Sequence, residues 1–141
     1  MEAGHGVKIK RAYEKPGADD GVRILVDGLW PRGLSKAELK IEKWEKVVAP
    51  SKELRNWYGH EAEKWPEFRR RFRAELEKSP RKEALERLAE IAKKGDLTLV
   101  FGTRDAEHSN AAVIAEAIAE KLKRGAPNRS RPSGRGGKSG T

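Results

Sequence analysis

Apolar positions along this chain keep two rhythms. Residues 7–13, VKIKRAY, alternate apolar and basic side chains, which predicts a strand with one solvated face. Val22, Ile24, Leu25 and Val26 form a short β-branched and apolar run, read as a second, mostly buried strand. Residues 97–101, LTLVF, are apolar without a break and predict a central strand covered on both faces. Elsewhere the spacing is three and four. Ser35 and Glu38 fit a capping box that starts a short helix, and Trp44, Val47 and Val48 continue an apolar helical face until Pro50. Ser51 is the N-cap candidate of a second helix, with Leu54 and Trp57 inward. Trp65, Phe68, Phe72 and Leu76 form a third amphipathic stripe. Ser79 and Pro80 supply a cap and first-turn proline for a fourth helix, whose stripe is Ala84, Leu85, Leu88, Ile91 and Ala92 and which Gly95 ends. Asp105 looks like the cap of a last helix facing inward through Ala111, Ile114, Ala115, Ile118 and Leu122.

These elements predict an α/β fold: a small three-layer-like sheet of about three strands, at least partly parallel, packed by about five helices. Residues 14–21, rich in Pro, Gly and Asp, join the first two strands. That link could close an antiparallel hairpin and is too short for a standard helical crossover, so the relative direction of these strands stays open.

Composition narrows the classes. A chain of 141 residues has the size of one domain and can bury a core. Without cysteine there is no disulfide, thiolate nucleophile or zinc–thiolate site. No apolar run approaches the length of a membrane span, and the N-terminus has no apolar signal region, so a cytoplasmic soluble protein with no membrane partner is expected. The net charge is +9, but residues 125–141 hold four basic residues and no acidic one. Without them residues 1–124 carry 27 basic against 22 acidic side chains, +5. Residues 1–124 are therefore expected to form a single, mildly basic domain. Residues 125–141, made chiefly of Gly, Ser, Pro and Arg, are expected to be a disordered basic tail.

Three polar clusters carry the candidate chemistry. The first joins Asp27 to Trp30, Pro31 and Arg32 directly after the second strand. Gly and Pro there hold a loop that aims polar groups, although Asp27 and Arg32 could simply pair with each other. The second, residues 49–60, holds Arg55, Trp57, Tyr58 and His60; the third, residues 102–110, holds Arg104, Asp105, His108 and Asn110. If the second and third strands are parallel, the first and third clusters emerge on one sheet edge, where open α/β sheets bind ligands. Arg32, Arg55 and Arg104 could then converge on a phosphate or carboxylate, with Trp30, Trp57 and Asn110 as further ligand contacts. His60 or His108 would act as acid or base, oriented by Asp27 or Asp105. Plainer roles compete: Asp105 as a helix cap, Arg55 paired to Glu53, and Trp44, Trp57 and Trp65 as core. No metal-ligand spacing, P-loop, GxGxxG or GxSxG is present, so no metal site is expected and no cofactor is indicated.

The strings DGVRILVDGLWPRG, APSKELRNWYGH, WPEFRRRFRAEL and TLVFGTRDAEHSNA, in this order, resemble the YeaO-like family of uncharacterised proteins, domain of unknown function 488. The resemblance spans about residues 7–122. Two departures stand out: the family usually has Arg where Gly28 stands, in VDRLWPRG, and a YAARD string where this chain has FGTRD. The family has no established reaction, so the resemblance implies kinship and no activity. The expected function is a polar pocket for an anionic small molecule such as a nucleotide or sugar phosphate, with catalysis by the residues above as its stronger form. The alternative is a non-catalytic nucleic-acid or ribonucleoprotein accessory working through the basic surface and tail. A partner-binding module is a third. Nothing in the sequence indicates an oligomeric state.

Overall fold

A computed structural model of the chain describes residues 6–130, and side chains as far as Arg124. Its centre is the strand Leu97–Phe101, every residue of which is buried. In chain order this is β4, after β1 (Val7–Arg11), β2 (Val22–Leu25) and β3 (Lys43–Trp44). The sheet order is β1-β4-β2-β3 and every pairing is parallel. The helices are α1 (Lys36–Leu39), α2 (Lys52–Tyr58), α3 (Trp65–Glu75), α4 (Arg81–Lys94) and α5 (Asn110–Ser130). Among the described residues no helix is long and apolar enough to cross a membrane.

Register assigns each residue of the sheet to a face. Val7, Leu97 and Val22 align, as do Ile9, Leu99 and Ile24. This face packs on the stripes of α3, α4 and α5, where Phe68, Phe72, Leu88, Ile114 and Ile118 are almost wholly buried. On the other face Lys8, Thr98 and Arg23 align, then Lys10, Val100 and Leu25. A smaller apolar cluster of Ala12, Leu25, Leu39 and Val100 lies there, flanked by Trp30, Leu34, Ile41 and Trp44.

The polar half of that second face explains how so short a link joins two parallel strands. The link returns across the sheet, past β4, to the start of β2, with a 3-10 turn at Ala18–Asp20. Asp20 is almost fully buried and is held from three sides. Lys10 Nζ donates to its Oδ1 at 3.0 Å, Arg23 Nη1 to its Oδ2 at 2.8 Å, and the Gly17 N–H to the same oxygen at 2.9 Å. Thr98 Oγ1 donates to the Asp20 carbonyl at 2.7 Å. Burial alone would raise the Asp20 pKa, but the Gly17 amide, Lys10 and Arg23 together outweigh it and hold the carboxyl at about 2. The Arg23 guanidinium also donates to the Leu39 carbonyl at 2.7 Å, satisfying a terminal acceptor of α1. Gly21 closes the link at φ 68, and a β-carbon there would lie 2.3 Å from the Asp96 carbonyl oxygen.

Several local expectations are corrected. Trp44 belongs to a fourth strand instead of a helical face, because α1 stops at Lys40 in the left-handed region and the chain then pairs with β2. Val47 is exposed in a 3-10 turn, Lys46–Val48. Ser79 does not cap α4: its Oγ donates to Glu83 at 2.7 Å. Asp105 does not cap α5. It precedes a 3-10 turn, Ala106–His108, and Ser109 Oγ accepts from the Ala112 N–H at 3.1 Å in its place. The capping box at Ser35 and the Ser51 cap form as expected. α5 continues beyond Arg124 as far as Ser130, while residues 131–141 of the segment read as a basic tail lie outside the described residues.

Candidate functional site

Parallel pairing puts the C-terminal ends of β1, β4 and β2 on one edge, so the loops that follow them meet. Asp27 lies two residues beyond β2 and Gly102 directly follows β4. The Gly102 N–H donates to Asp27 Oδ2 at 2.8 Å, and Asn110 Nδ2, at the start of α5, donates to Oδ1 at 3.2 Å. Asp27 thus ties two strand ends to a helix start. Its pKa is raised, chiefly by burial, against the opposing pull of the Gly102 amide, Asn110, His60 and Arg55. Trp44 Nε1 donates to the Asp27 carbonyl at 2.7 Å and meets Trp30 edge-on, with ring centroids 5.4 Å apart. Trp30 Nε1 donates to the Leu34 carbonyl at 2.7 Å, which folds the WPRG loop back over the second face.

A cleft of about 310 Å³ opens above Asp27. It is lined by Asp27, Gly28, Gly102, Thr103 and Asn110 at the strand ends and helix start, by Arg55 and His60, and by Tyr13 with Leu29, Trp30, Pro31 and Arg32. Asp27 is the one carboxyl in this lining, set against two arginines. Arg55, on α2, has its Nε buried with no hydrogen-bond partner. Gly28 lies against it: a β-carbon there would stand 3.8 Å from Arg55 Cζ and 3.9 Å from Nε, an ordinary contact distance. The position at which the chain departs from the VDRLWPRG pattern is therefore in contact range of this guanidinium. His60 adopts φ 59 directly after Gly59 at φ 54, a left-handed pair costly for a residue with a β-carbon.

Of the ten residues singled out in the sequence, Asp27, Trp30, Arg32, Arg55, His60 and Asn110 line this cleft. Trp57, Arg104, Asp105 and His108 do not. Trp57 is half-buried, with Lys64 Nζ 5.0 Å and Arg71 Cζ 4.5 Å from its ring centroid. Arg104 is exposed. His108 Nδ1 and Asp105 Oδ2 lie 2.6 Å apart within their own turn, and this bond is the chief cause of a lowered Asp105 pKa. The His108 ring packs 4.9 Å from that of Trp65. Sequence reasoning missed Tyr13 and Leu29, and it placed Gly102 and Thr103 in the third cluster without singling them out. Tyr13 follows β1 and would have been found had the parallel direction of that strand been known. The Gly102 contribution is a backbone amide, which no residue type announces.

A family model described as the inactive DUF488-N3 subclade matches residues 6–134. An uncharacterised protein of Mycobacterium tuberculosis (strain H37Rv) is 42% identical over 112 residues, covering 79% of this chain and 92% of that protein. The uncharacterised protein YeaO of Escherichia coli (strain K12) is 39% identical over 110 residues, covering 78% and 94%. No solved structure matches the chain.

Proposed function

Because the chain belongs to the YeaO-like DUF488 family, in the subclade described as inactive, we propose that its cleft binds an anionic small molecule without turning it over. The ligand class is a nucleotide or sugar phosphate, and the setting is the cytoplasm. The observation that carries this reading is the Arg55 guanidinium, whose buried Nε has no partner beside a cleft with a single carboxyl. A buried donor left without an acceptor costs free energy, and an anion oxygen would supply the missing acceptor. Arg32 adds a second positive charge at the rim. Catalysis has less support. The His108–Asp105 pair stands outside the cleft, and both Asp27 oxygens already accept hydrogen bonds that hold the strand ends together.

Titration of the full chain with inorganic phosphate and ribose 5-phosphate, followed by calorimetry and by amide chemical shifts, tests the reading. Saturable binding should perturb Gly28, Gly102 and Thr103, and recovered ribose 5-phosphate should be unchanged. Arg55→Gln should weaken binding about ten- to hundred-fold, the worth of one charge-assisted hydrogen bond. Binding untouched by that substitution would refute the assignment. Nucleic-acid binding that survives Arg55→Gln and falls steeply with salt would instead favour the accessory role.

A further inference from the structure

The cleft has a second chemical character that an inorganic anion would not use. Among the described residues three large hydrophobic side chains are exposed, and two of them, Leu29 at 70% and Tyr13 at 46%, line this cleft. Leu29 follows Gly28 in the loop whose other apolar members, Trp30 and Pro31, turn inward. An exposed leucine alone needs no explanation, but a leucine and a tyrosine both exposed in the lining of one arginine-bearing cleft supply it with an apolar wall.

The tyrosine is also held in place. Its hydroxyl donates to the Arg32 carbonyl at 2.9 Å, and the Arg11 guanidinium sits 5.1 Å from its ring centroid. Arg11 is itself pinned by its bond to the Thr103 carbonyl at 3.0 Å. The tyrosine ring thus has a cation near it that is itself held by the backbone, and its position is set by these contacts before any ligand arrives. At about 310 Å³ the cleft is at the lower end of small-molecule sites, which run from roughly 300 to 1,000 Å³. It has room for a single nucleoside phosphate.

We propose that the ligand is a nucleoside monophosphate, its phosphate on Arg55 and its base against the Leu29–Tyr13 wall. This rests on the anion-binding reading above and adds to it that the flat apolar ring, and not only the charge, is recognised. Leu29 has no hydrogen-bonding group and the Tyr13 hydroxyl already donates to the Arg32 carbonyl, so purine and pyrimidine monophosphates should both bind.

Calorimetry on the full chain at one fixed ionic strength tests the proposal with adenosine monophosphate, uridine monophosphate and ribose 5-phosphate as probes. Both nucleotides should bind tighter than ribose 5-phosphate, by roughly five- to hundred-fold, as expected for stacking of one base. Leu29→Ser removes wall but no core, since the side chain is 70% exposed. It should weaken nucleotide binding several-fold and leave both ribose 5-phosphate affinity and melting temperature unchanged. Arg55→Gln should weaken all three probes together. If the nucleotides bind no tighter than ribose 5-phosphate, or if Leu29→Ser affects all probes equally, this inference is overturned and the anion-binding reading stands. If no probe binds, both fall.

Discussion

Asp20 offers the sharpest test of how the fold is held. Its carboxyl is buried against Lys10 and Arg23 and has a pKa of about 2, against 3.8 when unperturbed. Each unit of such a shift is worth about 1.4 kcal/mol, so the ionised carboxylate stabilises the native state by about 2 kcal/mol at neutral pH. The folded pKa is depressed. The contribution is therefore fully present above about pH 4 and disappears as pH falls towards 2. Asp20→Asn keeps the shape and one acceptor but removes the charge, leaving buried Arg23 without its counter-ion. We expect it to cost about 2–4 kcal/mol at pH 7. The assay is urea unfolding of wild type and Asp20→Asn from pH 7 down to pH 2, reading the difference between them. Other carboxyls titrate in this range, among them half-buried Glu67, also held at about 2 by Arg70 and Arg71, but they cancel in the difference. The gap should be constant above pH 4 and narrow by about 2 kcal/mol near pH 2. A gap that stays the same at every pH would mean that side-chain packing, and not charge, is what Asp20 supplies.

Gly21→Ala should destabilise by at least about 2 kcal/mol, because it adds strain at φ 68 to a β-carbon placed 2.3 Å from the Asp96 carbonyl oxygen. A thermal melt within a degree of wild type would show that the link between β1 and β2 does not need that conformation. His60→Gly relieves a left-handed residue with a β-carbon and should raise stability by about 1 kcal/mol while weakening phosphate binding. Unfolding and binding measured on the same sample check it: a loss of both, or of neither, would refute the view that His60 accepts strain in order to face the cleft.

What could be read along the chain was what is decided along the chain. The stripes of α3, α4 and α5, the alternation of β1 and the apolar run of β4 reflect side-chain period, a property of neighbouring residues. The Ser35 and Ser51 caps are local for the same reason. The pairing of β1 and β2 on either side of β4 is not local. It depends on Asp20 finding Lys10, Arg23 and Thr98 at once, and a burial cost for a carboxylate that is repaid only when all are assembled leaves no trace in periodicity. β3 is two residues long and exists because β2 offers it an edge, so Trp44 could not be distinguished in advance from a helical position. The cleft divides along the same line. Asp27 and Asn110 announced themselves as polar groups in segments that follow apolar strands, and Arg55 and His60 as members of a polar and aromatic cluster. Their meeting required a Gly102 amide 75 positions from Asp27, a close approach of Gly28 to Arg55, and a parallel β1 to bring Tyr13 to the same edge. Arg104 and His108 had equally suggestive surroundings in the sequence. The 3-10 turn at Ala106–His108 bonds His108 to its own Asp105, and Arg104 stays at the surface; only the path of the backbone in three dimensions separates them from the residues that line the cleft.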